Sequence, residues 1–300
     1  MNTMVSVVAQ ILHMILVLLA APVLTGLIDV LSRFLAGREG PTIQQPWRDL
    51  IRLFRKGPVR AENASAVARF APMASVVLAV VVVSLIPSFA LGTVSAPLAD
   101  VLSLAALFAL GRVVMVLAAM DAGTGEEGVA ATLTARLAMA AEPALLLAAF
   151  ALALQAGGGD LDHIVAARMD GLLVPASAAA LAIAAVALLG WAEAVRPSLD
   201  GAYSARDLAL VRVAAQLRLV AWCDLIGALV LPFGMAAAGA GPLAWGLGLL
   251  AWAGRMGLAA LVLAGLRVVA PPQWAPAGIV LALAFGGVSA VLAVAGGAAP

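Results

Sequence analysis

Residues Val5–Val30 read VSVVAQILHMILVLLAAPVLTGLIDV, and Asp29 is the only residue of this run with a formal charge. An α-helix needs about 20 mainly apolar residues to cross the hydrocarbon core of a bilayer. The run is longer than that, and the residues before it carry no basic cluster of the kind that begins a signal peptide. It therefore predicts a first transmembrane helix.

Seven further apolar runs follow the first, and short segments rich in glycine and proline separate them. The whole chain of 300 residues is 64% hydrophobic and 11% charged, with a mean hydropathy of +1.11, whereas soluble proteins carry about 25% charged residues. We expect an all-α polytopic membrane protein, with residues 1–300 forming a single integral membrane domain of about eight transmembrane helices. The predicted spans are 5–30, 70–92, 98–119, 136–155, 172–193, 208–236, 243–265 and 276–297.

The composition also excludes several classes of function. The formal net charge of +1 gives no electrostatic basis for binding nucleic acid. The single cysteine, Cys223, excludes an intrachain disulfide and an iron–sulfur cluster held by this chain alone. No nucleophile–base arrangement or phosphate-binding loop is recognisable. The sequence therefore predicts no catalytic residues and no metal ligands.

The positions of the basic residues predict the orientation in the membrane. Cytoplasmic connections are enriched in arginine and lysine, and alternate connections, beginning with the first, hold most of them here. Both termini are therefore expected to lie outside, and residues 33–69 are expected to form a basic cytoplasmic loop. That loop contains eight of the 17 lysine and arginine residues: Arg33, Arg38, Arg48, Arg52, Arg55, Lys56, Arg60 and Arg69.

Within this loop, residues of about 46–56 have the pattern of an amphipathic helix. Trp47, Leu50, Ile51 and Phe54 recur at helical spacing and predict one apolar face. The basic residues Arg48, Arg52, Arg55 and Lys56 predict the opposite face. Such a helix lies in the membrane interface. It is either a lipid anchor or one wall of a site where a membrane molecule meets a soluble partner.

The loop and several later motifs together resemble one family. Gly40, Pro41, Gln45, Arg48, Asp49, Leu50, Leu53 and Lys56 match the pattern Gly-Pro-x-x-x-Gln-x-x-Arg-Asp-Leu-x-x-Leu-x-x-Lys. This pattern is similar to that of the membrane subunit shared by respiratory complex I and group 4 membrane-bound hydrogenases, and most like subunit 4 of formate hydrogenlyase. The later motifs follow in the family's order: Met120–Gly123, Glu142–Pro143, then Glu193, Arg196 and Asp200, then Tyr203–Ser204 and Leu231–Gly234.

The resemblance implies a subunit without its own redox centre in an energy-converting oxidoreductase of the bacterial or archaeal cytoplasmic membrane. Its implied partners are peripheral hydrogenase-like large and small subunits and antiporter-like membrane subunits. Iron–sulfur clusters, and possibly a [NiFe] site, would belong to those partners, so this chain would be a non-catalytic part of the enzyme. The candidate interface with a peripheral subunit or a quinone site consists of Arg38, Gln45, Trp47, Arg48, Asp49, Arg52, Arg55 and Lys56.

Two departures from the family concern acidic residues. The family's glutamate-rich stretch before Tyr203 is missing, since only Gly201 and Ala202 separate Asp200 from Tyr203. The family's Ser-Arg-Glu falls on Thr132–Thr134. Because those acids belong to the polar path that the family is thought to use for coupling, both proton coupling and quinone reduction are less strongly implied for this chain.

Two interpretations remain open for six charged residues of the predicted spans: Arg112, Glu142, Glu193, Arg218, Asp224 and Arg255. A charge at the bilayer centre costs about 2.5–3.5 kcal/mol on insertion scales, so each one needs a partner or a function. One interpretation is a set of ion pairs that hold helices together, favoured for Arg112, Arg218, Asp224 and Arg255. The other, which the resemblance favours, is a proton path through Glu142, Glu193 and Asp200.

Three functions therefore remain. The first is the membrane subunit of an energy-converting oxidoreductase, which docks peripheral subunits and couples their chemistry to movement of H⁺ or Na⁺. The second is a self-sufficient transporter, although no internal repeat supports it. The third is a structural anchor that has lost coupling.

Overall fold

The computed structural model of the protein describes residues 3–57, 65–173, 176–195, 199–237, 240–270 and 272–297, most of them helical. Of the basic residues named above, Arg60 and Arg196 lie outside these ranges. The helices are α1 (Thr3–Leu35), α2 (Gln45–Phe54), α3 (Ala66–Leu85), α4 (Val101–Asp121), α5 (Gly125–Ala156), α6 (Leu161–Met169), α7 (Ala176–Ala194), α8 (Ala205–Val230), α9 (Pro242–Val269) and α10 (Ala275–Gly297); two short strands are β1 (Ala90–Leu91) and β2 (Ala236–Ala237).

Eight helices in the described ranges are long and apolar enough to span a membrane: α1, α3, α4, α5, α7, α8, α9 and α10. The predicted fold class and number of spans are therefore confirmed, while several boundaries move. α3 and α8 end at Leu85 and Val230, each just before a proline, rather than at 92 and 236. α5 begins at Gly125 rather than 136, because Thr124 caps its N-terminus and Glu126 and Glu127 suit its first turn.

Small residues allow the transmembrane helices to approach closely. α10 packs against both α5 and α7, and its Gly286 lies so near α5 that an added Cβ would sit 2.9 Å from the carbonyl oxygen of Ala144. Alanines such as Ala148, Ala182 and Ala282 are fully buried between helices. Leucine and valine side chains instead form much of the exposed surface, which suits contact with lipid.

Because the long helices alternate in direction, the connections fall on two faces. We call the face that carries α2 the α2 face. Hydrogen bonds join neighbouring segments there: Ser65, before α3, donates to Asp121 at the end of α4 at 2.5 Å. Arg267, near the end of α9, donates to Asp29 of α1 at 2.8 Å. The α2 face thus gathers the ends of α1, α4, α7 and α9.

The opposite face is held together by backbone pairing between connections. β1 and β2 form a two-stranded parallel ladder after α3 and α8. The short helix α6 lies in the segment between α5 and α7, and Asp160 caps its N-terminus. Asp162 of α6 accepts a hydrogen bond at 2.5 Å from the backbone N–H of Gly92. These contacts close the bundle on the side away from α2.

Candidate functional site: a polar chamber beneath helix α2

The α2 helix begins with Pro46 in its first turn, where the missing N–H of proline is tolerated. Its observed extent, Gln45–Phe54, is close to the predicted 46–56. Leu50 and Leu53 are buried and form a small apolar cluster with Ala209 of α8. The helix is therefore held against the transmembrane bundle by its own side chains.

The polar residues of α2 are linked along the helix. Gln45 donates to Asp49 at 3.1 Å, and Arg52 pairs with the same carboxylate at 3.0 Å. Arg48 donates to Gln44 at 3.3 Å. Trp47 is half-buried, whereas Arg38, Arg48, Arg52, Arg55 and Lys56 are exposed. The structure thus brings the candidate interface residues to one surface and turns Asp49 inward.

A chamber of about 570 Å³ lies beneath α2 and extends among α1, α4, α5, α7, α8 and α9. Pro46, Asp49 and Leu50 of α2 form part of its wall, and Phe108 and Trp222 form an apolar part deeper in the bundle. Nine charged or amide side chains line it: Asp29, Asp49, Arg112, Glu193, Asp200, Arg212, Gln216, Arg218 and Arg267. A volume of this size is typical of a small-molecule site.

Ion pairs balance much of the charge in the chamber wall. Arg267 pairs with Asp29 at 2.8 Å, and Arg212 pairs with Asp200 at 3.3 Å. Arg267 also donates to the carbonyl oxygen of Ala194 at 3.5 Å. Asp200, one of the three residues predicted for a proton path, therefore lies at the chamber wall in an ion pair.

The deepest polar contacts of the chamber centre on Arg112 of α4. Its guanidinium donates to Glu193 of α7 at 3.1 and 2.5 Å and to Glu142 of α5 at 3.1 Å. Arg218 of α8 lies near enough to Arg112 and Glu193 to interact electrostatically, and it donates to the carbonyl oxygen of Gly111 at 3.5 Å. Residues that the sequence assigned to two different roles thus form one cluster, which we call the Arg112 cluster: Arg112, Arg218, Glu142 and Glu193.

A second charged cluster lies nearer the opposite face. Asp224 of α8 accepts a hydrogen bond at 2.7 Å from the indole N–H of Trp252. Arg255 of α9 donates to the backbone carbonyl of Leu231, the C-cap residue of α8, at 3.3 Å, and to that of Ser88 in the segment after α3. Asp224 and Arg255 also influence each other electrostatically. In the described part of the chain, Asp224 and Arg255 thus form their direct hydrogen bonds with an indole and with backbone carbonyls. These partners differ from Arg112 and Arg218, the other two residues predicted for ion pairing.

Reasoning from the sequence did not predict that one further group of residues lies together. Glu127 at the start of α5 is buried at 8% exposure, and Gly201 lies directly against its carboxylate. Tyr203 lies near Glu127, Asp121 and Asp207, and burial together with these negative charges raises the pKa of its phenol to about 12. No motif around Thr124 reveals in the sequence that α5 meets the segment after α7.

These features define a class: a multi-pass helical membrane protein in which a buried, charge-lined chamber opens beneath an amphipathic helix at one face. The comparison with known families agrees with that class. A family model described as NADH dehydrogenase matches residues 7–272, so the chain belongs to that family. The resemblance identified from the loop and the later motifs is confirmed.

Two curated relatives come from Escherichia coli (strain K12). Hydrogenase-4 component C is 28% identical over 235 residues, which covers 74% of this chain and 74% of that protein. Formate hydrogenlyase subunit 4 is 28% identical over 159 residues, which covers 53% of this chain and 52% of that protein. The alignment with formate hydrogenlyase subunit 4 thus spans about half the length of that relative.

A solved structure shares the fold. A chain of the membrane-bound sulfane sulfur reductase, an archaeal respiratory membrane complex, superposes with a TM-score of 0.75. The superposition covers 95% of this chain and 98% of that chain at 17% sequence identity. The helical arrangement described above is therefore shared with that chain.

Proposed function

We propose that this protein is the membrane subunit of an energy-converting oxidoreductase of the hydrogenase or complex I type. Peripheral hydrogenase-like large and small subunits dock on the α2 face and carry the redox centres, which are iron–sulfur clusters and a [NiFe] site. The membrane subunit links their chemistry to movement of H⁺ or Na⁺ in neighbouring antiporter-like subunits. Family membership and relatives from hydrogenase complexes support this assignment.

The observation that carries the proposal is the continuity of the chamber. One cavity is lined by Asp49 and Leu50 of α2 at the surface and by Arg112 and Glu193 at membrane depth. Arg112 continues the polar contacts to Glu142. An event at the α2 face therefore has a connected polar route into the bundle, which a purely structural anchor does not need.

The α2 face is assigned to the cytoplasm, with both termini outside, because its connections contain most of the basic residues. The membrane is accordingly the cytoplasmic membrane of a bacterium or archaeon. Two reporter enzymes can be fused after Gly297, one that is active only outside the cytoplasm and one that is active only inside it. We expect activity from the first reporter and none from the second. Activity of the second reporter instead would reverse the assignment.

Docking through α2 is tested by charge reversal. Replacing Arg48, Arg52 and Arg55 together by glutamate should release the peripheral subunits while the membrane subunit still inserts, because the three exposed side chains face the docking side. Replacing the same three by lysine is the matched control and should keep the complex. Co-purification in mild detergent is the measurement, and an intact glutamate variant would make α2 a lipid anchor.

Coupling is tested at the three proposed path residues. Glu142→Gln, Glu193→Gln and Asp200→Asn keep size and hydrogen bonding but cannot exchange a proton. We expect electron transfer to remain measurable while proton pumping into liposomes falls. If all three variants pump at wild-type rates, the path runs elsewhere; if the wild-type complex does not pump, the subunit is an anchor.

Purification as a stable lone protein with its own ion flux would instead support a transporter.

A further inference from the structure

One oxygen of the Glu127 carboxylate, Oε2, is buried without a hydrogen-bond partner in the described part of the chain. The residue is 8% exposed. Its neighbour Glu126 is exposed on the same turn of α5. A buried carboxylate that lacks a partner is costly, because it loses its hydration without gaining a compensating contact. Glu127 therefore requires an explanation that Glu126 does not.

Local capping does not supply that explanation. Thr124-Gly125-Glu126-Glu127 is the pattern of a capping box, in which the glutamate side chain would return to the N–H of the threonine. Thr124 performs its half, since its hydroxyl accepts from the N–H of Glu127 at 3.4 Å. The Glu127 side chain turns away instead, and its Oε1 lies against Gly201, where a methyl group would overlap it.

The surroundings of Glu127 are acidic. Asp121 and Asp207, like Glu127, lie near enough to Tyr203 to raise the pKa of its phenol. Asp207 is itself 5% exposed. The hydroxyl of that tyrosine, Tyr203, is also buried without a partner in the described part of the chain. Since burial and the three carboxylates raise its pKa to about 12, Tyr203 stays a neutral hydrogen-bond donor at physiological pH. The group thus combines negative charge with a polar wall.

This group also adjoins the chamber on the α2 face. Thr134 lies seven residues after Glu127 on α5, hence on the same side of the helix, and it lines the chamber. Leu199, which packs beside Ala131 of α5, lines the chamber as well. A molecule bound at Glu127 would therefore stand at the edge of the polar chamber.

We propose that Asp121, Glu127, Asp207 and Tyr203 form a carboxylate notch that receives an arginine side chain of the docked peripheral subunit. A guanidinium carries five donors in a planar fork that matches carboxylates, and it remains charged at all accessible pH values. Its insertion gives Oε2 of Glu127 a charge-assisted hydrogen bond. The inference rests on the proposed function, because it assumes that a peripheral subunit covers the α2 face.

A spectroscopic test uses the full chain alone. Tyr203 is the single tyrosine of the sequence, so protein grown with ¹³Cζ-tyrosine gives one labelled phenol signal. A tetra-arginine peptide should shift this signal saturably at pH 7.5. Glu127→Gln should weaken the apparent affinity about tenfold through loss of a charge-assisted hydrogen bond, whereas Glu126→Gln, the matched control, should bind as the wild type does.

The same titration contains results that would overturn the proposal. A shift that never saturates, or that is equal in both glutamine variants, would show only screening of surface charge. A response to Ca²⁺ without a response to tetra-arginine would make the notch a metal site. Gly201→Ala is an independent test, because its methyl group displaces the Glu127 carboxylate without removing it. This variant should also bind tetra-arginine more weakly than the wild type.

A second test uses the assembled complex. The salt concentration that releases the peripheral subunits should fall in Glu127→Gln and stay unchanged in Glu126→Gln. If Glu127→Gln needs as much salt as the wild type while charge reversal on α2 detaches the subunits, docking is right and the notch is wrong. If no peripheral subunit co-purifies with the wild type, the proposed function itself fails.

Discussion

At the scale of single residues, six of the charged side chains inside the bundle form two neutral sets. The first is the Arg112 cluster, with two arginines and two glutamates; the second contains Asp224 and Arg255. The sequence identified all six charges, because each interrupts an apolar run. It could not tell which of them meet, since Arg112 and Glu193 are 81 positions apart and are joined only by helix packing.

The two glutamates that bind Arg112 should contribute unequally to stability. The side chain of Arg112 is 10% exposed and makes two bonds to Glu193, which is 25% exposed, but one to Glu142, which is 37% exposed. Breaking a buried ion pair costs about 3–5 kcal/mol and an exposed one about 0–1 kcal/mol. We expect Glu193→Gln to lower the unfolding temperature clearly more than Glu142→Gln does.

The unfolding temperature can be measured through Cys223, the single cysteine, which is buried in the folded chain. A thiol-reactive dye reports its exposure as the detergent-solubilised protein is heated. The isosteric variant of an unrelated exposed acid, Glu126→Gln, is the reference for a change of charge alone. A larger loss of stability in Glu142→Gln would contradict the geometry of the cluster.

Asp162 gives a prediction for pH. It lies outside the membrane-spanning helices, where burial, partly opposed by the bond from Gly92, raises its pKa from 3.8 to about 6. The folded state therefore favours the protonated acid, and stability is lost as the pH rises through about 4 to 6. Asp162→Asn keeps an acceptor for Gly92 and never ionises, so we expect it to be more stable than the wild type at pH 8, by up to about 3 kcal/mol.

The stability difference for Asp162→Asn should vanish below about pH 4, where the wild-type acid is protonated in both states. Thermal unfolding followed by tryptophan fluorescence at pH 4, 6 and 8 measures it. Asp170→Asn is the control, because Asp170 is an exposed acid at the other end of α6. An Asp162→Asn variant that is less stable at pH 8 would mean that the charge on the carboxylate strengthens the Gly92 bond by more than burial costs.

At the scale of elements, α2 shows how far a periodic pattern reaches. The spacing of Trp47, Leu50, Ile51 and Phe54 predicts the helix, but the structure buries Leu50 and Leu53 and leaves Ile51 and Phe54 48% and 41% exposed. The buried side is rotated relative to the predicted apolar face, because Leu53 packs against the small side chain of Ala209 on α8. This packing contact is made by another helix, so the pattern of α2 alone could not indicate it.

Neighbouring residues of α2 should therefore differ in effect. Leu53→Ala removes a buried side chain at the contact with α8 and should destabilise the docked helix by about 2–5 kcal/mol, whereas Phe54→Ala alters an exposed one. Hydrogen exchange of the amides of residues 45–54 is the measurement, and it should speed up strongly only in Leu53→Ala. Equal exchange in both variants would show that lipid, rather than α8, holds α2 in place.

At the scale of the whole molecule, hydropathy predicted the eight spans, because lipid imposes one length and one polarity on all of them. The chamber and the carboxylate notch were not predictable in the same way. Each forms where several helix ends meet: the chamber involves α1, α2, α4, α5, α7, α8 and α9, and the notch involves α4, α5, α8 and the segment around Tyr203. Such sites depend on which helices are neighbours, and composition carries no information about that.

The lateral surface of the bundle contains one feature that lipid alone does not suit. The side chain of Glu142 is 37% exposed although it lies in a transmembrane helix, and Met139, one turn earlier on the same side of α5, is 79% exposed. A carboxylate facing hydrocarbon would be costly. We therefore expect this part of α5 to be covered in the complex by an antiporter-like membrane subunit with a polar group opposite Glu142.

That neighbour can be identified by photo-cross-linking in the native membrane. A benzophenone amino acid at position 139 should give an adduct with another membrane subunit, because the covered face of α5 excludes lipid. The matched control is position 250 on α9, where Leu250 is 71% exposed on a helix that packs against α1 and α8 instead of α5. Position 250 should give lipid adducts. If position 139 also yields only lipid adducts, α5 faces the bilayer and the charge of Glu142 is balanced within this chain by Arg112 alone.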